Sequence, residues 1–478
     1  MKENFVKIRQ CYKRKISHLY LLAFLFIISN SWAGAIYVDG KLSSDCPNRN
    51  YSIANRDCSG YDGNAYRTIQ AAVNVAKAGD IVYIRENIYF EKVLIARNGT
   101  INNPIIFQNY PDEKPVIDGN NKTLPSGNGL ISLNDKDYIK IIGLTISNSK
   151  YYGIQAWGGC DNITIQKCEV LYSNHGGIIF ESSSNIIVDS CEVHHNNDLG
   201  LSAWQEAITM TGVNSFEVKN CKVHHNKEEG IDAKYGAING SIHHNEAYSN
   251  NGPNIYVDGA NHIEIYNNKV YNTMGQKSGI MLAVEEHANR YITTNCNIYN
   301  NLIYDNNSGI CFWIESGAYN YGYISDCYIM NNTIHSNEVN GGIWIMNVGS
   351  KNYINIMVRN NIFLDNDSSG KDEIRDSSGS NQLSHFTIDH NFFKAGAHSD
   401  IYGSHYLMSE DVKLVDIFNH DYRLQSDSPA REGGNSEKAP AFDYENNRRP
   451  YGNGYDIGAY EFSTPPPPQN LKGEIIYR

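Results

Sequence analysis

Residues 224–245 read HHNKEEGIDAKYGAINGSIHHN and place Glu228, Glu229, Asp232 and Lys234 within seven positions. An ammonium among carboxylates can clamp an anion, or it can exchange protons with a bound molecule. Carboxylates of this kind can also hold a hard cation such as Ca²⁺. The phrase His-His-Asn flanks the group on both sides, as His224-His225-Asn226 and His243-His244-Asn245. A repeating frame is therefore carrying a local charge cluster, and the frame must explain what the charges meet.

The frame is legible over most of the chain. IQKCEVLYSN, VDSCEVHHNN, VKNCKVHHNK, IHHNEAYSNN, IYNNKVYNTM, IYNNLIYDNN, IMNNTIHSNE, VRNNIFLDND and IDHNFFK align on Cys168, Cys191, Cys221, Asn245, Asn268, Asn301, Asn332, Asn361 and Asn391. Their spacings are 23, 30, 24, 23, 33, 31, 29 and 30 residues, so the unit is short and the longer intervals hold loops. Each unit carries β-branched residues, Gly and Asn at close spacing, and none carries a helical apolar stripe. Such a period predicts a solenoid of β-coils. The recurrent Asn or Cys is expected at an inward turn position, where amides bond from rung to rung. Asn also tolerates left-handed turns.

Register brings the charges together. EAITMTG (206–212), EGIDAKY (229–235) and PNIYVDG (253–259) align, so Ile208, Ile231 and Ile255 stack inward, as do Met210, Ala233 and Val257. Strand alternation then turns Thr209, Asp232 and Tyr256 outward in one column and Thr211, Lys234 and Asp258 in the next. Coils about 4.8 Å apart would gather Glu206, Asp232, Lys234 and Asp258 into a patch roughly 10 Å wide on an open flank. Glu229 stands at a strand start, and Glu181 lies near the same line one coil earlier. Residues 197–205 lengthen the chain just before Glu206 and carry Trp204, an insertion beside the patch.

The bulk properties set limits. The chain has 478 residues and a formal charge of −12. Residues 1–33 read as a signal peptide: a basic start, the apolar run LYLLAFLFII, then small residues before Ala33. Their removal takes six bases and one acid, giving −12 − 6 + 1 = −17. A chain this acidic excludes nucleic acid as an expected partner. No membrane association is expected after leader removal, and the mature protein is expected to be a secreted or periplasmic monomer. Cys46 and Cys58 flank a polar loop and are expected to form a disulfide. Cys168, Cys191 and Cys221 read as stacked apolar thiols rather than metal ligands.

One domain is expected over 34–462, followed by a Pro-rich tail at 463–478. Ile69, Ala72, Val73 and Ala76 form a helical stripe in a predicted N-terminal cap at about 66–80, ended by Gly79-Asp80. The segment 427–462 reads as a closing cover for the far end.

The stretch AIYVDG…YRTIQAAVNVAKAGDIVYIRENIYFEKVLI…GTINNPIIFQNYPDEKPVIDG, with DIGAYEF near the end, resembles right-handed parallel β-helix proteins of the pectate-lyase-like superfamily. In style it is similar to family 9 polysaccharide lyases and their relatives. The resemblance covers most of 35–462 and implies an all-β, right-handed parallel β-helix with an N-terminal capping helix.

The resemblance also implies a reaction, β-elimination on an acidic, uronate-containing polysaccharide. Lys234 resembles that family's lysine base, and Asp232 and Asp258 resemble its calcium ligands, with Glu206 or Glu229 assisting. The expected roles are therefore catalytic for Lys234, Asp232 and Glu229. Glu206, Asp232 and Asp258 are expected to bind Ca²⁺, and Trp204, Tyr256 and Glu181 to bind substrate. The lysine lies one strand step from Asp232, and adjacent paired aspartates are absent, which departs from the family pattern. Without a metal, the carboxylates would hold Lys234 protonated, as an acid or an electrostatic clamp. The same residues leave open a uronate C5-epimerase, a glycoside hydrolase, a non-catalytic carbohydrate-binding surface protein, or a solvated ion-pair ladder. The His pairs read as products of repeat copying. Glu285-Glu286-His287, Trp313, Glu315 and Trp344 read as edges of a longer groove.

Overall fold

Three short strands per coil, each facing a different way, build the chain into a stack. The computed structural model describes residues 34–463, apart from 121–123, 126, 200–205, 276, 289–290, 338, 347–351, 367–371 and 380. The leader (1–33), Trp204 and the tail from 464 lie outside the described residues. Among these residues, parallel pairing makes sheets of 17, 13 and 11 strands, and Leu414–Asp416 pairs antiparallel with Asp421–Leu424. One coil is typical. Ile231–Lys234 belongs to the 11-stranded sheet, Ile238–His243 to the 17-stranded sheet and Glu246–Tyr248 to the 13-stranded sheet. The predicted right-handed parallel β-helix class is what the chain adopts.

Alternation fills the interior. Ile231, Ala233, Ile242 and Ala247 are all fully buried in the main apolar core, and each stacks on the equivalent residue of the next coil. β-Branched residues dominate because a pleated surface shared with identical neighbours suits their restricted rotamers.

The turns are held by two amide ladders. In the first, the side-chain Oδ1 of Asn245, Asn268, Asn301, Asn332, Asn361 and Asn391 each accepts from the backbone N–H of the ladder residue one coil earlier, beginning at Cys221. The left-handed residue is not the ladder Asn but its predecessor: φ is 53° at Asn267, 53° at Asn300 and 52° at Asn331. The Asn-Asn pairs therefore split two jobs, backbone reversal and amide bonding. A second ladder runs at the next turn, with Asn196, Asn226 and Asn250 in one run and Asn306, Asn337 and Asn366 in another.

His194-His195 and His224-His225 sit at this second turn, whereas His243-His244 sits at the first, so the flanking His-His-Asn phrases are not equivalent. At both turns the first His approaches a Glu of the preceding coil, as His224 Nε2 does Glu192 at 3.1 Å and His243 Nε2 does Glu217 at 2.9 Å. Cys168, Cys191 and Cys221 are buried free thiols, pushed above the usual thiol range in Cys168 and Cys191 chiefly by burial.

Asn301 makes the ladder testable. Its Nδ2 donates to Ile265 O at 2.9 Å and Tyr299 O at 3.0 Å, and its Oδ1 accepts from Asn268 N at 3.0 Å. Asn301→Ala leaves buried backbone groups on two coils without these partners, at a cost of about 3 kcal/mol. The guanidinium midpoint should fall, while the same change at an exposed turn residue such as Asn102 should leave it in place. An unchanged midpoint for Asn301→Ala would remove the ladder from the list of what holds the coils.

At the N-terminal end, Thr68 caps a helix at Ile69–Val75 by accepting from Ala71 N, and Ile69, Ala72, Val73 and Ala76 join the main core. This helix stops at Val75, earlier than Gly79-Asp80. Cys46 and Cys58 form the expected disulfide. The segment 427–462 behaves differently from a cover. It lies along the outside of the later coils, where Asn300 Nδ2 donates to Phe442 O, Asn331 Nδ2 to Asp456 O and Asn360 Nδ2 to Asn435 O. Successive turn amides, buried beneath the segment, offer it a row of donors along the stack, which an end face would not. No described helix is long and apolar enough to cross a membrane.

Candidate functional site

The register places the charged columns as the sequence predicts. Ile208, Thr209, Met210 and Thr211 pair with Ile231, Asp232, Ala233 and Lys234, which pair in turn with Ile255, Tyr256, Val257 and Asp258. Asp232 and Lys234 thus share one face of one strand, with Asp258 beside Lys234 on the next. Glu181 pairs with Thr211, two coils from Lys234 in the same column.

The side chains converge on the lysine. Lys234 Nζ lies 2.6 Å from Glu206 Oε1 and 3.3 Å from Asp232 Oδ2. Glu206 is held in turn, because Thr209 Oγ1 donates to its Oε2 at 2.8 Å. Asp258 Oδ1 accepts from the backbone N–H of Glu285 at 2.8 Å, and Tyr256 OH donates to Glu285 Oε1 at 2.7 Å. Lys234 also lies 5.3 Å from the Tyr235 ring centroid.

The flank is covered rather than open, which corrects both the expected exposure and the solvated-ladder alternative. Lys234 is 6% exposed, Asp232 1% and Asp258 0%. Strands about 4.8 Å apart carry side chains longer than their spacing, so neighbours meet across the columns: Glu206 pairs with Lys234, and Glu285 accepts from Tyr235 and Tyr256. The surroundings leave negative charge in excess. Both oxygens of Asp232 and Oδ2 of Asp258 are buried without a hydrogen-bond donor, the first despite its ion-pair contact with Lys234.

Burial and this crowding decide the protonation. Desolvation pushes the Asp232 carboxyl well above the usual range against the pull of Lys234, and Glu206, Glu229 and Asp258 push it further. Burial, then Glu206 and Glu228, raise Glu229 to about 8, and burial with Glu285 raises Asp258 to about 8. Burial alone would lower Lys234, yet Glu206 and Asp232 overcome it and hold the ammonium well above its ordinary value. In this arrangement Lys234 is a fixed cation. Glu229 and Asp258, pushed to about 8, share protons with their neighbours.

The predicted set is therefore largely brought together: Glu206 and Asp232 contact Lys234, Tyr256 and Asp258 pair with Asp232 and Lys234 on the next strand and meet at Glu285, and Glu229 acts on Asp232 through its charge. Glu181 stands apart along the column, and Trp204 lies outside the described residues. The expected calcium ligands do not close around one point. Glu206 and Asp232 both face the ammonium, and Asp258 turns to the Glu285 N–H, so the donor set as placed does not fit a resident ion. Among the described residues no group of three or more His, Cys, Asp or Glu converges as a metal cage.

Sequence reading placed Glu285 only at a groove edge, although it touches Tyr256 and Asp258. Its coil is longer than the others, so period counting did not put it in register. The outward face continues past the charges through Met281, Cys311 and Trp344 in one column and Ala283 and Trp313 in the other, an apolar extension of the same surface.

A stacked three-sheet coil with a charged patch on one outer face defines the class: this chain is a right-handed parallel β-helix protein. Within that class, residues 52–203 match the family described as Pel9A-like, right handed beta helix region, and residues 201–416 match that described as Right handed beta helix region. A curated relative, described as uncharacterized protein YwoF of Bacillus subtilis (strain 168), is 27% identical over 319 residues, which are 58% of this chain. The match spans 65% of the length of that relative.

Among solved structures, pectate lyase Pel9A superposes with a TM-score of 0.54 at 13% identity, covering 90% of this chain and 97% of its own. The A-module of the mannuronan C-5 epimerase AlgE6 from Azotobacter vinelandii gives 0.51 at 16%, covering 72% and 94%. XylC in complex with xylose gives 0.51 at 11%, covering 90% and 98%. These likenesses are of fold.

Proposed function

We propose that the protein is an exported polysaccharide-active enzyme that works on a uronate-containing polymer by β-elimination. One observation carries the reading: a single buried ammonium is ringed by more carboxyls than it can neutralise, and several of their oxygens lack donors. A structural ion pair is stable when its remaining lone pairs are satisfied. Uncompensated, proton-sharing carboxyls beside a fixed cation are instead the equipment of proton transfer. The Cys46–Cys58 disulfide, the acidic chain and the fold shared with named polysaccharide enzymes are in keeping with it.

In this reading Lys234 pairs with the substrate carboxylate, displacing Glu206 from the ammonium. Neutralising that carboxylate acidifies the neighbouring C5–H, because the carbanion that forms delocalises into it. In its ionised form, which the neighbouring ammonium favours against burial, Asp232 takes the C5 proton. The C5 electron pair forms the C4–C5 double bond as the C4–O bond breaks, and the leaving oxygen takes a proton from Glu229 or water. Lys234 thus moves from the base expected by resemblance to the clamp, and the base role passes to a carboxylate. The positive charge is supplied by the chain, so turnover is expected to persist in EDTA.

Incubation of the mature chain with pectate, alginate and glycosaminoglycans should release unsaturated uronyl products, read as ultraviolet absorbance. Isomerised polymer of unchanged length would replace the lyase by the epimerase, for which the same deprotonation is followed by return of a proton to the opposite face. New reducing ends without absorbance would point to the hydrolase. Failure of all three would reject the enzymatic reading.

A further inference from the structure

A cleft of about 420 Å³ opens on a different face, where residues 438–446 lie against the outside of the 17-stranded sheet. Its floor is the outward side of Asn261–Tyr266, Asn297–Tyr299 and Tyr328–Met330. The edges of Tyr266 and Tyr299, stacked 5.0 Å apart, form one wall, and Phe442, 53% exposed, forms the other.

Two carboxamides lining this cleft keep an unpartnered acceptor. Asn267 is 4% exposed and donates through Nδ2 to His244 Nε2 at 3.2 Å, but its Oδ1 has no donor. Asn297 donates through Nδ2 to Glu264 Oε1 at 2.7 Å, and its Oδ1 likewise has none. Both oxygens are closed to solvent and are reached only if the amides turn; buried amide oxygens are nearly always satisfied in folded proteins, so two left unsatisfied beside one cleft mark a lining whose hydrogen bonding is incomplete. The volume and the mix of apolar walls with a few polar groups are those of small-molecule sites.

We propose that this cleft is a second glycan-binding site, separate from the Lys234 cluster, and that it takes a neutral, hydroxyl-rich sugar unit. Sugar hydroxyls supply the donors that Asn267 and Asn297 lack once those amides turn toward the cleft, and Phe442 offers an apolar face to the C–H side of a pyranose ring. Charge selects against a uronate. The lining holds the carboxylates of Glu264 and Asp443 and one ammonium, Lys438, which stands 4.9 Å from the Tyr328 ring centroid. An anion here would meet net negative charge, whereas the Lys234 cluster offers one a cation. The inference needs no catalysis, so it stands or falls apart from the lyase reading.

The test titrates the mature chain by calorimetry with gluco-, xylo- and N-acetylhexosamine oligosaccharides and, separately, with a polyuronate oligomer. At least one neutral probe should bind, with affinity falling tenfold or more in Asn297→Ala and in Phe442→Ala and unchanged in Lys234→Met. Polyuronate turnover should be unchanged in the two cleft variants. Phe442 is exposed, so its variant keeps the test decisive if Asn297→Ala perturbs the fold. Absence of neutral-sugar binding at millimolar concentration overturns the proposal. So does binding that survives Phe442→Ala, or binding that Lys234→Met removes.

Discussion

Lys234→Met is expected to lower kcat/KM on the uronate polymer by about 10²- to 10³-fold, the usual cost of removing a preorganised electrostatic partner from a transition state. Methionine keeps the length of the stem and removes only the charge, so the loss reports the clamp. Asp232→Asn should cost a similar factor by removing the base. In the wild type, the rate should rise as Asp232 ionises and fall as pH passes about 8, where Glu229 loses the proton it donates to the leaving oxygen.

Stability titrates with the same carboxyls. A carboxyl whose folded pKa is raised binds its proton more tightly in the native state. Its contribution is complete below the unfolded value near 4 and is lost as pH rises through about 8. Lys234→Met removes the cation that opposes this. Its destabilisation, about 3–5 kcal/mol for an orphaned buried charge, should therefore be larger at pH 8 than at pH 5. Turnover that survives the methionine would end the proposed role. Lost turnover with an unaltered pH dependence of stability would separate the lysine from its carboxyl neighbours.

The coil frame was legible because repetition multiplies a weak local signal. One Asn-Asn pair is only a turn, but nine coils carrying Asn or Cys at one column fix a register, and that register put Asp232, Lys234 and Asp258 side by side correctly. What the pattern could not supply was depth. Alternation says that Lys234 points outward, yet whether outward means wet depends on Tyr235, Tyr256 and Glu285, which arrive from other coils. The second amide ladder carried the same signal five residues after the first, at Asn196, Asn226, Asn250 and Asn306. It went unread because Ser173 and Thr273 interrupt it. Glu285 was misplaced because insertions shift the count in its coil, and the flank position of 427–462 was invisible because its partners are turn amides far away in sequence. Periodicity encodes neighbours within the stack; it is silent about segments that leave it.

One such segment is tied internally by a buried ion pair, and Arg449→Met is expected to loosen it at a cost of about 3–5 kcal/mol. Arg449 and Glu461 are fully buried, with Nη1 2.8 Å from Oε2. Arg449 Nη2 also donates to Gly458 O at 2.8 Å and reaches Asn300 Oδ1 at 3.3 Å, so one guanidinium joins the segment to itself and to the coils. Burial already raises the Glu461 carboxyl to about 7 with the arginine in place. Without it the carboxyl would climb further, so the stability lost as pH rises through 7 in the wild type would go on falling at higher pH, and the variant should be weakest at pH 8.

Arg449→Met/Glu461→Leu, which removes both charges, should recover much of the loss; if it does not, packing rather than charge holds the segment. The functional consequence divides the molecule. Residues 438–446 wall the neutral-sugar cleft, whereas the Lys234 cluster is built from 206–285 and owes nothing to this ion pair. Arg449→Met at pH 8 should therefore open the segment to limited proteolysis and abolish neutral-sugar binding while polyuronate turnover continues. Parallel loss of both would mean that the segment holds the coils themselves together, and that the two sites are not independent.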